Sequence, residues 1–140
     1  TVEFYKRVLG LHVIMDFGAN KTLTGGLALQ TVETYGDFIG TNEISFGSNS
    51  FELYFEEDDF DGFIAKLGQR NDIQYIGDGV KEAGWGQRTV RFYDLDGHII
   101  EVGENMKMVV KRFIHSGMSM EETSRRMDVS VSDLEKLLQS

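Results

Sequence analysis

The chain has 140 residues, a net charge of −9 and no cysteine. This length suits one domain with a hydrophobic core and a small appendage. The absence of cysteine excludes disulfides, thiolate metal sites and cysteine nucleophiles. No apolar run approaches the roughly 18 residues of a membrane span, and no signal peptide is visible. We therefore expect a cytoplasmic protein.

The negative charge is confined to the longer, N-terminal part of the chain. Residues 1–103 hold 8 basic and 17 acidic side chains, whereas residues 104–140 hold 6 of each. Neither part has the basic surplus that is typical of nucleic-acid-binding proteins. The expected partner is a small molecule, with neither nucleic acid nor a membrane.

The first half of the chain predicts a helix, two strand regions and a long connection. The stretch "TVEFYKRVLG" places Phe4, Tyr5 and Val8 on one side of a helix that ends at Gly10. Residues 11–17 and 21–31 are rich in strand formers and punctuated by glycine. Residues 32–50 have no clean period and are interpreted as a connection.

The second half begins with a strand and then repeats this order. Apolar and polar residues alternate in "FELYFEE", which predicts a half-buried strand. The acidic run "EEDDFD" is interpreted as the cap of the next helix, because the helix dipole favours acid there, and not as a metal cage. A short strand over residues 73–77 precedes a hairpin of residues 88–93 and 98–103 around "DLDG".

Restoring one strand before the first helix gives two copies of strand–helix–strand–strand–strand. This predicts an α+β fold of two βαβββ modules that form a cupped mixed sheet, with the first strand missing from the chain. C-terminal helices follow. An unpaired sheet edge is a liability for a monomer, so we also predict a homodimer.

Two motifs resemble the vicinal oxygen chelate superfamily, which includes glyoxalase I, bleomycin resistance proteins and extradiol dioxygenases. "FYKRVLGL" (4–11) resembles its first-helix motif, and "WGQRTVRFYDLDGHIIEVGE" (85–104) resembles its closing signature. Leu95 departs from that signature, which usually has proline there. The resemblance implies a glyoxalase/bleomycin-resistance-like domain over residues 1–103 and a helical extension over residues 104–140. It implies no single activity, because the fold hosts many chemistries.

Strand alternation gathers polar residues on the concave face of the predicted sheet. Ile100 and Val102 pack beneath the helices, so Glu101 faces the other side. The resulting inner set consists of Gln30, Glu52, Tyr54, Arg91, Tyr93 and Glu101. Trp85 lies in the glycine-rich stretch "GDGVKEAGWG", which we interpret as a wall over the cup. The alternative is an aromatic plug at a sheet edge.

The resemblance implies metal ligands on the first and fourth strands of each module. Glu52 and Glu101 are therefore the candidate metal ligands and catalytic carboxylates. The candidate substrate-binding residues are Gln30, Tyr54, Trp85, Arg91 and Tyr93. One divalent ion (Zn, Ni, Mn, Mg or Fe) would polarise substrate oxygens. The equal alternative is that no metal is bound and that the two glutamates pair with Arg91 or Arg88. This alternative is favoured by the lack of a histidine in the inner set.

The tail is helical in pattern from Asn105. An apolar stripe precedes Gly117, "SMEE" is a capping box, and Ser130 or Ser132 caps a last helix. The last two helices resemble a helix-turn-helix. Residues 131–140 contain Lys136 as their single basic residue, which favours a packing role over DNA recognition.

Three functions stay open from the sequence. The leading one is a glyoxalase-like lyase or isomerase that uses a metal on a small polar carbonyl or thiol-adduct substrate. The alternative is metal-free binding or sequestration of a small molecule, as in bleomycin resistance proteins. The third is a DNA-binding regulator that acts through the tail.

Overall fold

The computed structural model describes residues 1–140 and divides into two compact units. The first unit comprises Thr1–Phe51 and Asp94–His98, and the second comprises Glu52–Tyr93 and Ile99–Ser140. Helices and strands occur in both, and helices end the chain, which confirms the predicted α+β class. None of the helices combines the length and apolar character that a membrane crossing requires.

The first unit contains two helices and a three-stranded antiparallel sheet. Its elements are α1 (Val2–Leu9), β1 (Val13–Asp16), β2 (Asn20–Leu23), β3 (Ala28–Gln30) and α2 (Val32–Ile39), with sheet order β1-β2-β3. As predicted, α1 buries Phe4, Tyr5 and Val8. It ends at Gly10, whose φ of 70° is in the left-handed region that glycine tolerates.

Helix α2 corrects the interpretation of residues 32–50 as a connection without regular structure. The helix begins after Thr31 and ends at Gly40, which has a φ of 75°. Its apolar side chains are largely exposed, and Gly36 interrupts the pattern with a weak helix former. This glycine has a packing reason, because a Cβ there would lie 2.9 Å from the Thr41 carbonyl oxygen.

The second unit is built on a five-stranded mixed sheet. Its first elements are β4 (Glu52–Glu57), α3 (Phe60–Gly68), β5 (Gln74–Tyr75), β6 (Lys81–Glu82), β7 (Arg88–Tyr93) and β8 (Ile99–Glu104). The sheet order is β4-β8-β7-β5, and β6 also pairs with β7. Strands β4 and β8 are parallel, and the other pairs are antiparallel. The predicted hairpin of β7 and β8 is confirmed.

One face of this sheet carries the apolar core of the unit. The buried apolar side chains of the sheet and of α3 are Phe60, Leu67, Val90, Phe92, Ile100 and Val102. Helix α3 begins with a side-chain cap, since the Asp59 carboxylate accepts the Gly62 N–H at 3.0 Å. The acidic run before α3 therefore caps a helix, as predicted.

The chain ends in three short helices, α4 (Met106–His115), α5 (Met120–Met127) and α6 (Val131–Gln139). The predicted capping box of Ser119 and Glu122 is present, and Ser130 caps α6. A buried apolar cluster joins the three helices through Val109, Val110, Phe113, Met127 and Leu134. These helices belong to the second unit, and their role as a separate extension over residues 104–140 stays a prediction.

Candidate functional site

Five of the six residues of the predicted inner set share one face of the five-stranded sheet. In the strand register, Glu101 lies beside Tyr54 on one side and Arg91 on the other. Ile99 in turn lies beside Glu52 and Tyr93. We call this surface the Glu101 face; its members are Glu52, Tyr54, Arg91, Tyr93 and Glu101.

The sixth residue, Gln30, lies on β3 in the first unit. Its side-chain oxygen accepts the Asn20 amide at 2.7 Å, and its nitrogen donates to the Thr34 hydroxyl at 2.6 Å. Gln30 also lines a cavity of about 840 Å³ within that unit. Both ends of its amide are therefore already paired in the folded chain.

Arg91 joins the two candidate carboxylates of the Glu101 face. Its Nε donates to Glu52 Oε2 at 2.9 Å, and its Nη2 donates to Glu101 Oε2 at 2.8 Å. The Glu101 side chain is only 10% exposed, whereas that of Arg91 is 39% exposed. The cluster thus has a buried carboxyl group beneath a more accessible arginine.

The two carboxyl groups differ in their proton affinity. Burial and a hydrogen bond shared with Glu52 raise the pKa of Glu101 to about 7. The hydrogen bond from Arg91 holds the pKa of Glu52 below its ordinary value. Because two adjacent carboxylates repel each other, one proton is retained between them near neutral pH. Glu101 is the group that changes its charge in that range.

A chain of three side chains extends from the Glu101 face to Trp85. The Trp85 indole N–H donates to Gln87 Oε1 at 3.1 Å, and Gln87 Nε2 donates to the Tyr54 hydroxyl at 2.8 Å. Burial raises the pKa of Tyr54, so this hydroxyl stays protonated. Gln87 was absent from the predicted site, although it lies within the quoted motif "WGQR"; its buried position beside Tyr54 was not visible in the alternation.

The opposite face of the same strands holds a second buried carboxylate, Glu104. Arg88 forms a bidentate ion pair with it at 3.0 Å, and Arg112 Nη2 donates to it at 2.9 Å. Of the two arginines predicted as partners for the inner glutamates, Arg91 pairs with them, whereas Arg88 pairs with Glu104. Residues 88 and 91 are three apart on one strand, so their side chains lie on opposite faces.

The carboxylates of the Glu101 face do not fit a resident divalent metal ion. Both already accept hydrogen bonds from Arg91, and no histidine lies among them. The group of acidic and histidine side chains that brings three potential ligand atoms within 4.8 Å is Asp94, Asp96 and His98, in the first unit. There, Asp94 Oδ2 already accepts bonds from the Tyr5 hydroxyl and His98 Nδ1 at 2.6 and 2.8 Å.

Comparisons with known proteins identify relatives over most of the chain. The model of the family described as "Glyoxalase-like domain" matches residues 1–107. A solved protein of unknown function from Agrobacterium tumefaciens is 34% identical, over 73% of this chain and 80% of its own, with a TM-score of 0.64. No curated protein matches the chain.

Two more distant solved structures share the fold. A glyoxalase/bleomycin resistance protein/dioxygenase from Nocardioides is 19% identical, over 74% of this chain and 72% of its own, with a TM-score of 0.58. A glyoxalase-related enzyme from Fulvimarina pelagi is 17% identical, over 75% of this chain and 78% of its own, with a TM-score of 0.60. At these identities the likeness extends to the fold and not to the activity.

Proposed function

This chain belongs to the glyoxalase-like family, and we propose that it binds a small organic cation on the Glu101 face without a resident metal ion. The observation that carries the proposal is the bridging of Glu52 and Glu101 by Arg91. The arginine occupies the side of both carboxyl groups that a metal would need, and once Glu101 is ionised the pair carries more negative charge than Arg91 neutralises.

A divalent ion would have to displace Arg91 from both carboxyl groups. Metal ligation requires deprotonated carboxylates, whereas Glu101 keeps its proton up to a pH of about 7. A positively charged guanidinium and a divalent cation also repel each other at this distance. These features favour binding chemistry that depends on hydrogen bonds and charge in place of a metal.

The charge and the aromatic content of the surface favour a cationic ligand. When Glu101 is ionised, two carboxylates face one arginine, and the exposed Glu56 adds a further acidic group to the same side of β4. Tyr54, Tyr93 and the half-exposed Trp85 supply aromatic rings, which attract cations through their π faces. The net charge of −9 would raise the local concentration of cations.

Fluorescence titration with 9-aminoacridine, an aromatic amine that stays cationic near neutral pH, tests this proposal. We expect binding to the wild-type chain in the presence of a chelator, and tighter binding as the pH rises through about 7 because Glu101 loses its proton. Glu101→Gln removes that ionisation and is expected to flatten the pH dependence. Binding that disappears on chelation would contradict a metal-free site.

Manganese binding supplies the converse test. Wild-type protein dialysed against Mn²⁺ and then against buffer is expected to retain no stoichiometric metal, whereas Arg91→Met exposes both carboxylates and is expected to gain Mn²⁺ affinity. The double variant Arg91→Met/Glu52→Gln is the matched control, because it removes one of the two ligands again. Stoichiometric metal in the dialysed wild-type protein would refute the proposal.

The second candidate function is a lyase or isomerase, and one observation favours it. A carboxyl group whose pKa is about 7 is suited to transfer protons at neutral pH, which is the role of a general acid or base. The assay is turnover of a thiol–aldehyde adduct with added Zn²⁺ or Ni²⁺ and with chelator. Turnover that Glu101→Gln abolishes would establish this function in place of binding alone.

A further inference from the structure

Arginines of the C-terminal helices donate hydrogen bonds to the backbone carbonyl groups of the residues immediately before and after Trp85. Arg126 Nη1 donates to the Gly84 carbonyl at 2.7 Å, and Arg112 Nη2 donates to the Gly86 carbonyl at 2.6 Å. Arg126 Nη2 also reaches the Glu82 carboxylate at 3.2 Å. The carbonyl groups of the residues before and after Trp85 thus both accept hydrogen bonds from the tail.

A buried aromatic ring completes this anchor. The guanidinium groups of Arg112 and Arg126 lie 4.9 and 5.3 Å from the centre of the Phe113 ring. The ring packs so closely on Gly86 that a Cβ there would lie 2.4 Å from Phe113 Cζ. Because Phe113 belongs to the buried cluster of the three helices, the segment is packed against the core that these helices form.

Packing alone does not fix the position of the Trp85 side chain. Trp85 is 48% exposed, and an open cavity of about 460 Å³ separates its neighbourhood from Met127 and Val129 at the end of α5. The backbone anchors, and one hydrogen bond to Gln87 at 3.1 Å, therefore contribute to where the indole lies.

The same segment determines the conformation of Tyr54 on the Glu101 face. Gln87 Nε2 donates both to the Tyr54 hydroxyl at 2.8 Å and to the Glu104 carbonyl at 3.0 Å. Tyr54 lies directly beside Glu101 in the strand register. A displacement of residues 84–87 would thus change the aromatic and hydrogen-bonding groups next to the acidic cluster.

We propose that Arg112 and Arg126 are positioning residues, through which the C-terminal helices hold Trp85 and Gln87 in place for ligand binding at the Glu101 face. This inference rests on the proposed function, and it assigns the tail a role in the site in place of DNA binding. It gives a role to the two arginines of the tail that contact residues 84–86.

Arg126→Met in the full chain is the decisive variant, because Arg112 also neutralises Glu104 and its loss would disturb the core. Arg125→Met is the matched control: it removes the same charge from the adjacent, exposed position. Trp85 is the single tryptophan, so its emission maximum and its quenching by acrylamide report on the segment without any ligand. Far-UV circular dichroism verifies that each variant is folded.

We expect Arg126→Met to increase the quenching of Trp85 and to weaken 9-aminoacridine binding by about 3- to 30-fold, the range of coupling between connected residues. Arg125→Met is expected to change neither, and Arg126→Lys to restore both in part, since lysine keeps the charge but not the two-pronged geometry. Gly86→Ala should reproduce the quenching effect without any change of charge.

The outcomes separate this inference from the function on which it rests. A wild-type chain that binds no 9-aminoacridine contradicts the proposed function, whatever Trp85 does. A folded Arg126→Met protein with wild-type quenching and wild-type probe affinity overturns the positioning role, even if the wild-type chain binds the probe. Equal effects of Arg125→Met and Arg126→Met would also overturn it, because they would reflect net charge and not the anchors.

Discussion

Two glutamates three residues apart on β8, Glu101 and Glu104, are both buried beside arginine, yet the protein shifts their proton affinities in opposite directions. Burial and Glu52 raise the pKa of Glu101 to about 7. Burial also acts on Glu104, but hydrogen bonds from Arg88 and Arg112 outweigh it and lower its pKa. The two side chains lie on opposite faces of the same strand.

The number of cations per carboxylate separates the two environments. Glu104 alone receives two guanidinium groups and the Arg88 backbone N–H at 3.0 Å. Glu101 shares its single arginine with Glu52. The first arrangement stabilises a negative charge inside the core, whereas the second has too few cations for two carboxylates, so Glu101 retains its proton to a higher pH. A buried carboxylate is therefore a candidate functional group when fewer cations contact it than are needed to neutralise it and its neighbours.

Glu104→Gln is expected to give the largest loss of stability. The amide cannot neutralise Arg88 and Arg112, and breaking a buried ion pair costs about 3–5 kcal/mol. Urea denaturation at neutral pH measures the change. Because the pKa of Glu104 is lowered in the folded chain, its contribution is present above its ordinary value of 4.5 and is lost as the pH falls below it. The variant should therefore approach wild-type stability in acid.

Gly103→Ala is expected to give the next largest loss of stability. Gly103 lies between the two glutamates, and a Cβ there would be 2.8 Å from Gln87 Nε2 and 3.1 Å from the Tyr54 ring. Gln87 cannot move aside without losing its bonds to Tyr54 and Glu104, so we expect a loss of about 1–3 kcal/mol, as for overpacked cores. Wild-type stability together with unchanged Trp85 emission would show that the Tyr54–Gln87 contact is dispensable.

The sequence predicted the members of the Glu101 face because strand alternation is a strictly local pattern. Glu52, Arg91 and Glu101 alternate with apolar residues, so their common face follows from the period of two. The period does not give the partner of each charge. Alternation placed Arg91 and not Arg88 on this face, but only the register shows that Arg91 lies directly beside Glu101.

The elements that the sequence missed depend on contacts distant along the chain. Helix α2 leaves most of its apolar side chains exposed and contains Gly36, so no buried stripe indicated a helix. Gln87 and Glu104 acquire their roles from Tyr54 and Arg112, which lie 33 and 8 residues away in sequence. Neither composition nor periodicity carries that information.

The predicted homodimer, like the substrate-binding assignments, stays a prediction. Light scattering at micromolar concentration measures its mass directly against the 15.9 kDa of one chain. We expect twice that mass, because β3 is an edge strand of its sheet and unpaired edges favour association. A mass of one chain would contradict the prediction.

Glu101→Gln is expected to change the pH dependence of stability more than stability itself. The folded chain retains the Glu101 proton from 4.5, its ordinary pKa, up to about 7, whereas the unfolded chain releases it. The folded state thus binds more protons in this window, and stability falls as the pH rises. As the pH rises through this window, the melting temperature of the variant should therefore increase relative to that of wild type. A constant difference would contradict the raised pKa.

Glu56→Gln is expected to have the smallest effect on stability. It tests whether the pH dependence of Glu101 arises from its pairing with Arg91 and Glu52, or from the presence of any carboxylate on this face. Glu56 lies on the same face of β4 as Glu52 but is exposed, and its one hydrogen bond, from the Tyr54 hydroxyl, is long at 3.4 Å. Interactions of such exposed groups contribute under about 1 kcal/mol, so the melting temperature should stay within error of wild type at every pH. Suppose instead that the melting temperature of Glu56→Gln differs from that of wild type in a pH-dependent way, by as much as that of Glu101→Gln. The effect of Glu101 would then not depend on its burial or on sharing Arg91 with Glu52.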